Sequence, residues 1–164
     1  LSIRRQRQMC IRDRFSSAVL APPVYESLPG TIPDYDLRNV KAQFGIDALY
    51  TLQIGVYTVG NQAEPTAKNL GEIRAAAEKA VVNLRREGEQ AFYYHGPRRS
   101  MVTTGIFGPK DYDVQRPQNT SPVLTLLKRK YPHNLENGAG VRRKRPGQAE
   151  ATIDPSFIVV IPTN

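Results

Sequence analysis

The sequence predicts an α+β fold in which one antiparallel sheet carries two helices on a single face. Three observations lead there. Four short runs concentrate or alternate apolar residues as strands do. Two longer segments place apolar residues at helical spacing. Their order along the chain is β-α-β-β-α-β, the split βαβ arrangement of ferredoxin-like domains.

The first strand is Leu49 to Thr58. In an unbroken strand Tyr50, Leu52, Ile54 and Val56 share one face, and Thr51, Gln53, Gly55 and Tyr57 the other. One face is apolar and the other mixed, so the sheet is expected to be covered on one side and open on the other. A helix follows, from Thr66 or Asn69 to Glu87. Asn69 with Glu72 three residues on resembles a capping box. Leu70, Ile73, Ala77, Ala80, Val81 and Leu84 form the apolar stripe, and Glu72, Glu78, Lys79, Asn83 and Arg86 lie outside it. Gly88 is a natural stop.

The second strand is Ala91 to His95, ended by Gly96-Pro97, with Arg98-Arg99 in the hairpin. The third is Ser100 to Phe107. Val102, Thr104 and Ile106 point one way, and Met101, Thr103, Gly105 and Phe107 the other. Gly108 to Thr120 is loop. Ser121-Pro122 then reads as an N-cap with proline at the first helical position. It opens a helix from Val123 to Tyr131 with Val123, Leu124 and Leu127 inward, and Pro132 ends it. Phe157 to Ile161 is the last strand, nearly all apolar.

Outside these elements the chain is irregular. Residues 15–45 read as a proline-rich linker, broken by Ala21-Pro22-Pro23 and by Leu28-Pro29-Gly30-Thr31-Ile32-Pro33. The domain is expected to span 46–162, with an irregular insertion at 132–155. Residues 1–14 resemble translated sequencing-adaptor read-through and are set aside as an artefact. Five arginines against one aspartate give that stretch +4, half of the chain's +8. On that expectation the natural amino terminus is missing, and the lack of a leader says nothing of localisation.

Composition excludes several classes. A single cysteine, Cys10, rules out a disulfide framework within the chain and a multi-cysteine zinc site. No apolar run reaches the roughly 18–20 residues of a membrane span. His95 and His133 have no Cys or acidic cluster at ligand spacing, so no metal is expected. Neither has an evident nucleophile beside it, and no triad or acid–base pair stands out. No GxxxxGK[ST] or GxGxxG is present. The expectation is therefore a protein that is not an enzyme and carries no cofactor.

The first and third strands share a pattern. Leu52, Gly55 and Tyr57 match Val102, Gly105 and Phe107, each apolar-x-x-Gly-x-aromatic. Leu52-Gln53-Ile54-Gly55-Val56-Tyr57, the following helix, and Val102-Thr103-Thr104-Gly105-Ile106-Phe107 before Gly108-Pro109 together resemble a SPOR domain, a bacterial peptidoglycan-binding module. The resemblance covers roughly residues 49–115 and runs on more loosely to 161. Thr103 and Thr104 stand where the family usually has a basic residue, and the stretch before the last strand is longer than usual. The resemblance implies a protein of the cell envelope or periplasm that binds peptidoglycan glycan strands on an open sheet face.

The candidate glycan-binding residues are Gln53, Tyr57, Thr103 and Tyr93. Amides and hydroxyls suit sugar hydroxyls, and aromatic rings suit the apolar faces of sugars. Tyr93 and His95 share a strand face, opposite Phe92 and Tyr94, and could stand beside Gln53. Arg142, Arg143, Lys144 and Arg145 form a basic patch that suits an anionic polymer. Two alternatives stay open. One is an RNA-binding module, since RNA-recognition domains share the βαββαβ order. Nucleic acid is disfavoured because Met101 to Phe107 has one aromatic and no basic residue. The other is a protein-docking domain without a small ligand.

Overall fold

A computed structural model describes residues 28–60, 64–144, 147 and 149–163. The expectations for residues 1–14 and for the linker as far as residue 27 lie outside the described residues. The protein is α+β, with three helices and a mixed sheet. In chain order the elements are α1 (Val40–Phe44), β1 (Tyr50–Thr58), α2 (Ala67–Arg86), β2 (Ala91–His95), β3 (Arg99–Phe107), α3 (Pro122–Lys130), β4 (Leu135–Glu136), β5 (Arg142–Arg143), β6 (Thr152–Ile153) and β7 (Phe157–Val160). Two 3-10 turns, Pro33–Tyr35 and Leu37–Asn39, precede α1.

β1 is the centre of the sheet. One edge pairs antiparallel with β3, whose far edge pairs antiparallel with β2. The other edge is shared. β7 runs antiparallel along Tyr50 to Gln53, and β4 runs parallel beside Gly55 and Val56. Asn137 continues the ladder with its side chain: Thr58 N donates to Asn137 Oδ1 at 2.9 Å, and Asn137 Nδ2 donates to Thr58 O at 3.1 Å. The expected irregular insertion thus supplies β4 to the main sheet and the separate β5–β6 pair.

Local chemistry sets the helix ends. Thr66 caps α2, its Oγ1 accepting from Asn69 N while Asn69 Oδ1 accepts from Thr66 N, both at 3.2 Å. The capping box therefore lies one turn earlier than Asn69–Glu72, because threonine supplies the hydroxyl acceptor that fits the cap. Gly88, at φ 89°, ends the helix as expected. Ser121 caps α3, accepting from Leu124 N at 3.3 Å, with Pro122 in the first turn. Leu124 is fully buried, whereas Val123, expected inward, is 66% exposed. A nine-residue helix lying on a sheet buries one narrow stripe, and Val123 falls beside it.

Two β-bulges decide which side chains face which layer. Gln53 pairs with Thr103 but Gly55 with Val102, so Ile54 is an extra residue on β1. Tyr50 pairs with Phe107 but Leu52 with Thr104, so β3 carries an extra residue around Gly105, which adopts φ 74°. Each bulge shifts the alternation by one. Leu52 and Tyr57, five apart, belong on opposite faces of a regular strand, and so do Val102 and Phe107. With the bulges, all four pack in one core with Ala77 and Val81 of α2 and Leu124 of α3. The repeated apolar-x-x-Gly-x-aromatic pattern is the trace of those two bulges.

The opposite sheet face is covered, and the expected open face is corrected accordingly. Phe92, Tyr94 and Met101 on that face pack with Leu37, Val40, Ala48 and Ile161. Leu37, Val40 and Ile161 are fully buried. Residues expected to be linker therefore form half of a second apolar layer. The segment also reaches the outer edge of β2, where Asp36 bridges Tyr93 in parallel, so that edge is not left bare.

Candidate functional site

Of the four glycan-binding candidates, three are buried. Gln53 is 5% exposed and Thr103 and Tyr93 are 0%. Gln53 Nε2 donates to Asn134 Oδ1 at 3.2 Å. Thr103 Oγ1 is sealed without a hydrogen-bond partner among the described residues. Tyr93 lies on the opposite face from Gln53, since β2 places Phe92, not Tyr93, beside Thr103. Its hydroxyl donates to Ile32 O at 2.6 Å and accepts from Ile32 N at 3.1 Å. Burial pushes the Tyr93 phenol up to about 12. The structure thus separates Gln53 and Thr103 from Tyr93 and Tyr57, and no shared sheet-face site forms from the four.

Tyr57 is the exception. The β1 bulge turns it to the helix side, where it lines an open groove of about 730 Å³. The floor is Ile54, Gly55 and Val102. One wall is the last turns of α2, with Ala80, Asn83, Leu84 and Glu87. The other is the end of α3 and the chain after it, with Lys130, Tyr131, Pro132 and His133. Pro132 follows the C-cap Tyr131 and cannot continue α3. Partial burial raises the phenols of both Tyr57 and Tyr131, keeping them neutral donors near pH 7. Lys130 ion-pairs with Glu89, which raises its own ammonium and spends its charge at the rim.

The groove therefore offers an apolar floor, two phenol rings, one carboxamide and one imidazole, with the Glu87 carboxylate and the Lys130 ammonium in its walls. Its volume falls in the range of about 300–1,000 Å³ typical of ligand sites. That chemistry suits a ligand with apolar faces and a hydroxyl- or amide-rich edge. Tyr131, Asn83 and His133 were not singled out as partners of Tyr57, because their meeting depends on how α2 and the post-α3 chain pack.

A second constellation was missed altogether. Glu78, outside the apolar stripe of α2, is 9% exposed, and it faces His95 of β2 and Ser100 of β3. Glu78 Oε1 lies 3.0 Å from His95 Nε2, and His95 Nδ1 lies 2.9 Å from Ser100 Oγ. A carboxylate only accepts, so Nε2 carries the proton and Nδ1 accepts from the Ser100 hydroxyl. The sequence offers no evident nucleophile beside His95; the hairpin brings it the hydroxyl of Ser100, its register partner. Burial lowers the His95 pKa despite the carboxylate, which favours the neutral ring. Ser100 and His95 are 0% and 1% exposed. In this arrangement the chain of three joins elements and is closed to a substrate. The Tyr93 ring stacks on His95, centroids 4.6 Å apart.

In the basic patch, Arg142 and Lys144 are exposed, and Arg145 lies outside the described residues. Arg143 is held by Glu136 and, at 3.1 Å, by Asp154, so one of the described cations is neutralised within the fold. Among the described residues no three His, Cys, Asp or Glu side chains converge as a metal site, and no helix is long and apolar enough to cross a membrane. Comparison of the chain with protein-family models, with curated proteins and with solved structures finds no match in any of the three.

Proposed function

We propose that the protein is a non-catalytic module of the bacterial cell envelope that holds a peptidoglycan glycan strand in the groove between α2 and the end of α3. The observation that carries this is the emergence of Tyr57 beside Tyr131, Asn83 and His133 in a groove open to solvent. Sugar rings stack on phenol faces, while the carboxamide and imidazole meet hydroxyl and acetamido groups. The resemblance to SPOR domains over residues 49–115 supports the same ligand class, with the contact moved from the sheet face to the helix side. The strand order β2-β3-β1-β7 and the shared core of α2 and α3 support the split βαβ reading of the fold.

The test is co-sedimentation with purified peptidoglycan sacculi, intact or stripped of stem peptides. Pelleting is expected to increase on stripped glycan and to persist at high salt, because rings and hydroxyls release no counterions. Tyr57→Ala is expected to weaken it at least tenfold, equivalent to about 1.4 kcal/mol. Tyr131→Ala should act alike, and Gln53→Ala should not weaken binding to the folded protein. Pelleting that vanishes at high salt would assign binding to the basic patch and an anionic polymer. No pelleting at any salt would end the glycan proposal.

A further inference from the structure

We infer that residues 28–35 are an acid-released latch whose hold on the fold depends on the carboxylate of Glu78, which binds the latch and His95 together. Three donors converge on that carboxylate. Thr31 N donates to Oε1 at 3.0 Å, Thr31 Oγ1 donates to Oε2, and His95 Nε2 donates to Oε1 at 3.0 Å. Beside it the Tyr93 hydroxyl grips both backbone groups of Ile32. Gly30 lies so close to the Tyr93 ring that an added Cβ would sit 2.3 Å from its atoms. The latch is thus seated by polar hooks on two side chains that both touch His95.

Its apolar hold is weaker. Ile32 and Tyr35 are only partly buried, whereas Asp36, just beyond, is buried and paired with Arg38, and Leu37 and Val40 are fully buried. Residues 28–35 can therefore lift while 36–48 stay anchored. Local opening of this kind takes less free energy than unfolding.

Acid acts in one direction on both groups. Those facing His95 are Glu78 and Arg74 of α2, Asp36 of the turn, Tyr93 of β2 and Ser100 of β3. Burial is the largest influence on His95 and lowers it below 6.5; the carboxylates of Glu78 and Asp36 oppose this, and Arg74 adds to it. Burial alone would raise Glu78, but the Thr31 and His95 hydrogen bonds together hold it below 4.5. Lifting the latch returns water to both groups, and both then bind protons more readily. The open form takes up protons, so opening is favoured as pH falls through the ordinary histidine range and then the carboxylate range. A protonated Glu78 also loses the charge that strengthens all three hydrogen bonds, and its Oε2 hydroxyl can then meet Thr31 Oγ1 only as a donor.

The test is amide hydrogen exchange on the full 164-residue chain, corrected for intrinsic rates, from about pH 7.5 to about pH 4.5. Protection at Thr31 and Ile32 is expected to fall at least tenfold while β1 and β3 keep theirs. Thr31→Val removes one hook from the latch itself and is expected to lower latch protection across the whole range. Glu78→Gln, a neutral isostere, is expected to leave the latch poorly protected even at the upper pH. Flat protection at Thr31 and Ile32 across the range overturns the latch, and so does their loss only in step with β1 and β3. If Glu78→Gln does not fold, the wild type and Thr31→Val decide the matter.

Discussion

Gly105→Ala is expected to destabilise the protein by about 3 kcal/mol, well above the typical point substitution. Two effects add. Gly105 sits at φ 74°, where any residue with a Cβ is strained. A Cβ there would also lie 2.6 Å from Phe107 Cζ and 2.9 Å from Leu127 Cδ2. Phe107 is buried in the main core and Leu127, half-buried, packs against it, so moving either side chain gives up packing. Relief of the backbone strain requires undoing the bulge, which would turn Phe107 away from α2 and α3. For a domain of this size the loss corresponds to a fall in Tm of about 10 °C. Gly71→Ala is the control. Gly71 lies in α2 with nothing within 4 Å of an added Cβ. Alanine there should raise stability by up to about 1 kcal/mol through helix propensity. Thermal unfolding of the two variants measures both signs. An unchanged Tm for Gly105→Ala would mean that the bulge is not rigid.

Elements fixed by local chemistry were legible in the sequence. Ser121-Pro122 and Gly88 act within one turn of chain, and a reader sees the whole cause. The bulges were not legible as such, because an extra residue leaves alternation intact on either side and only swaps the faces beyond it. Their trace was the odd five-residue spacing from Leu52 to Tyr57 and from Val102 to Phe107, which a regular strand cannot place in one core. Alternation alone therefore places Tyr57 with Gln53, whereas the bulge turns it to the face of Leu52. Glu78 carries no signal in the sequence, because an isolated carboxylate on a helix is ordinarily solvated and its partners His95 and Thr31 come from β2 and from the segment before α1. Nothing in the helical period of α2 encodes them.

The role of residues 37–48 was hidden for a different reason. Two three-residue turns and the five-residue α1 are too short to display a period, and the prolines around them read as linker. The structure makes them part of the core, with a large consequence for where the domain can be cut. A fragment beginning at residue 46 keeps every strand and both long helices, yet it loses Leu37 and Val40, each fully buried. It also strips the Glu78 carboxylate and the Tyr93 hydroxyl of their partners Thr31 and Ile32. At about 3 kcal/mol for each buried side chain and about 1–2 for each stranded polar group, the loss approaches the whole stability of a small domain. Residues 46–164 are therefore expected to be insoluble or without a cooperative transition, while 28–164 unfold cooperatively like the full chain. Leu37→Ala in the full chain should alone cost about 3 kcal/mol in urea denaturation, with the m value unchanged. If 46–164 melts as sharply and as high as 28–164, the second layer contributes no stability. The sheet face bearing Gln53 and Thr103 could then be bared without loss of the fold, and glycan binding would have to be tested there as well as in the groove.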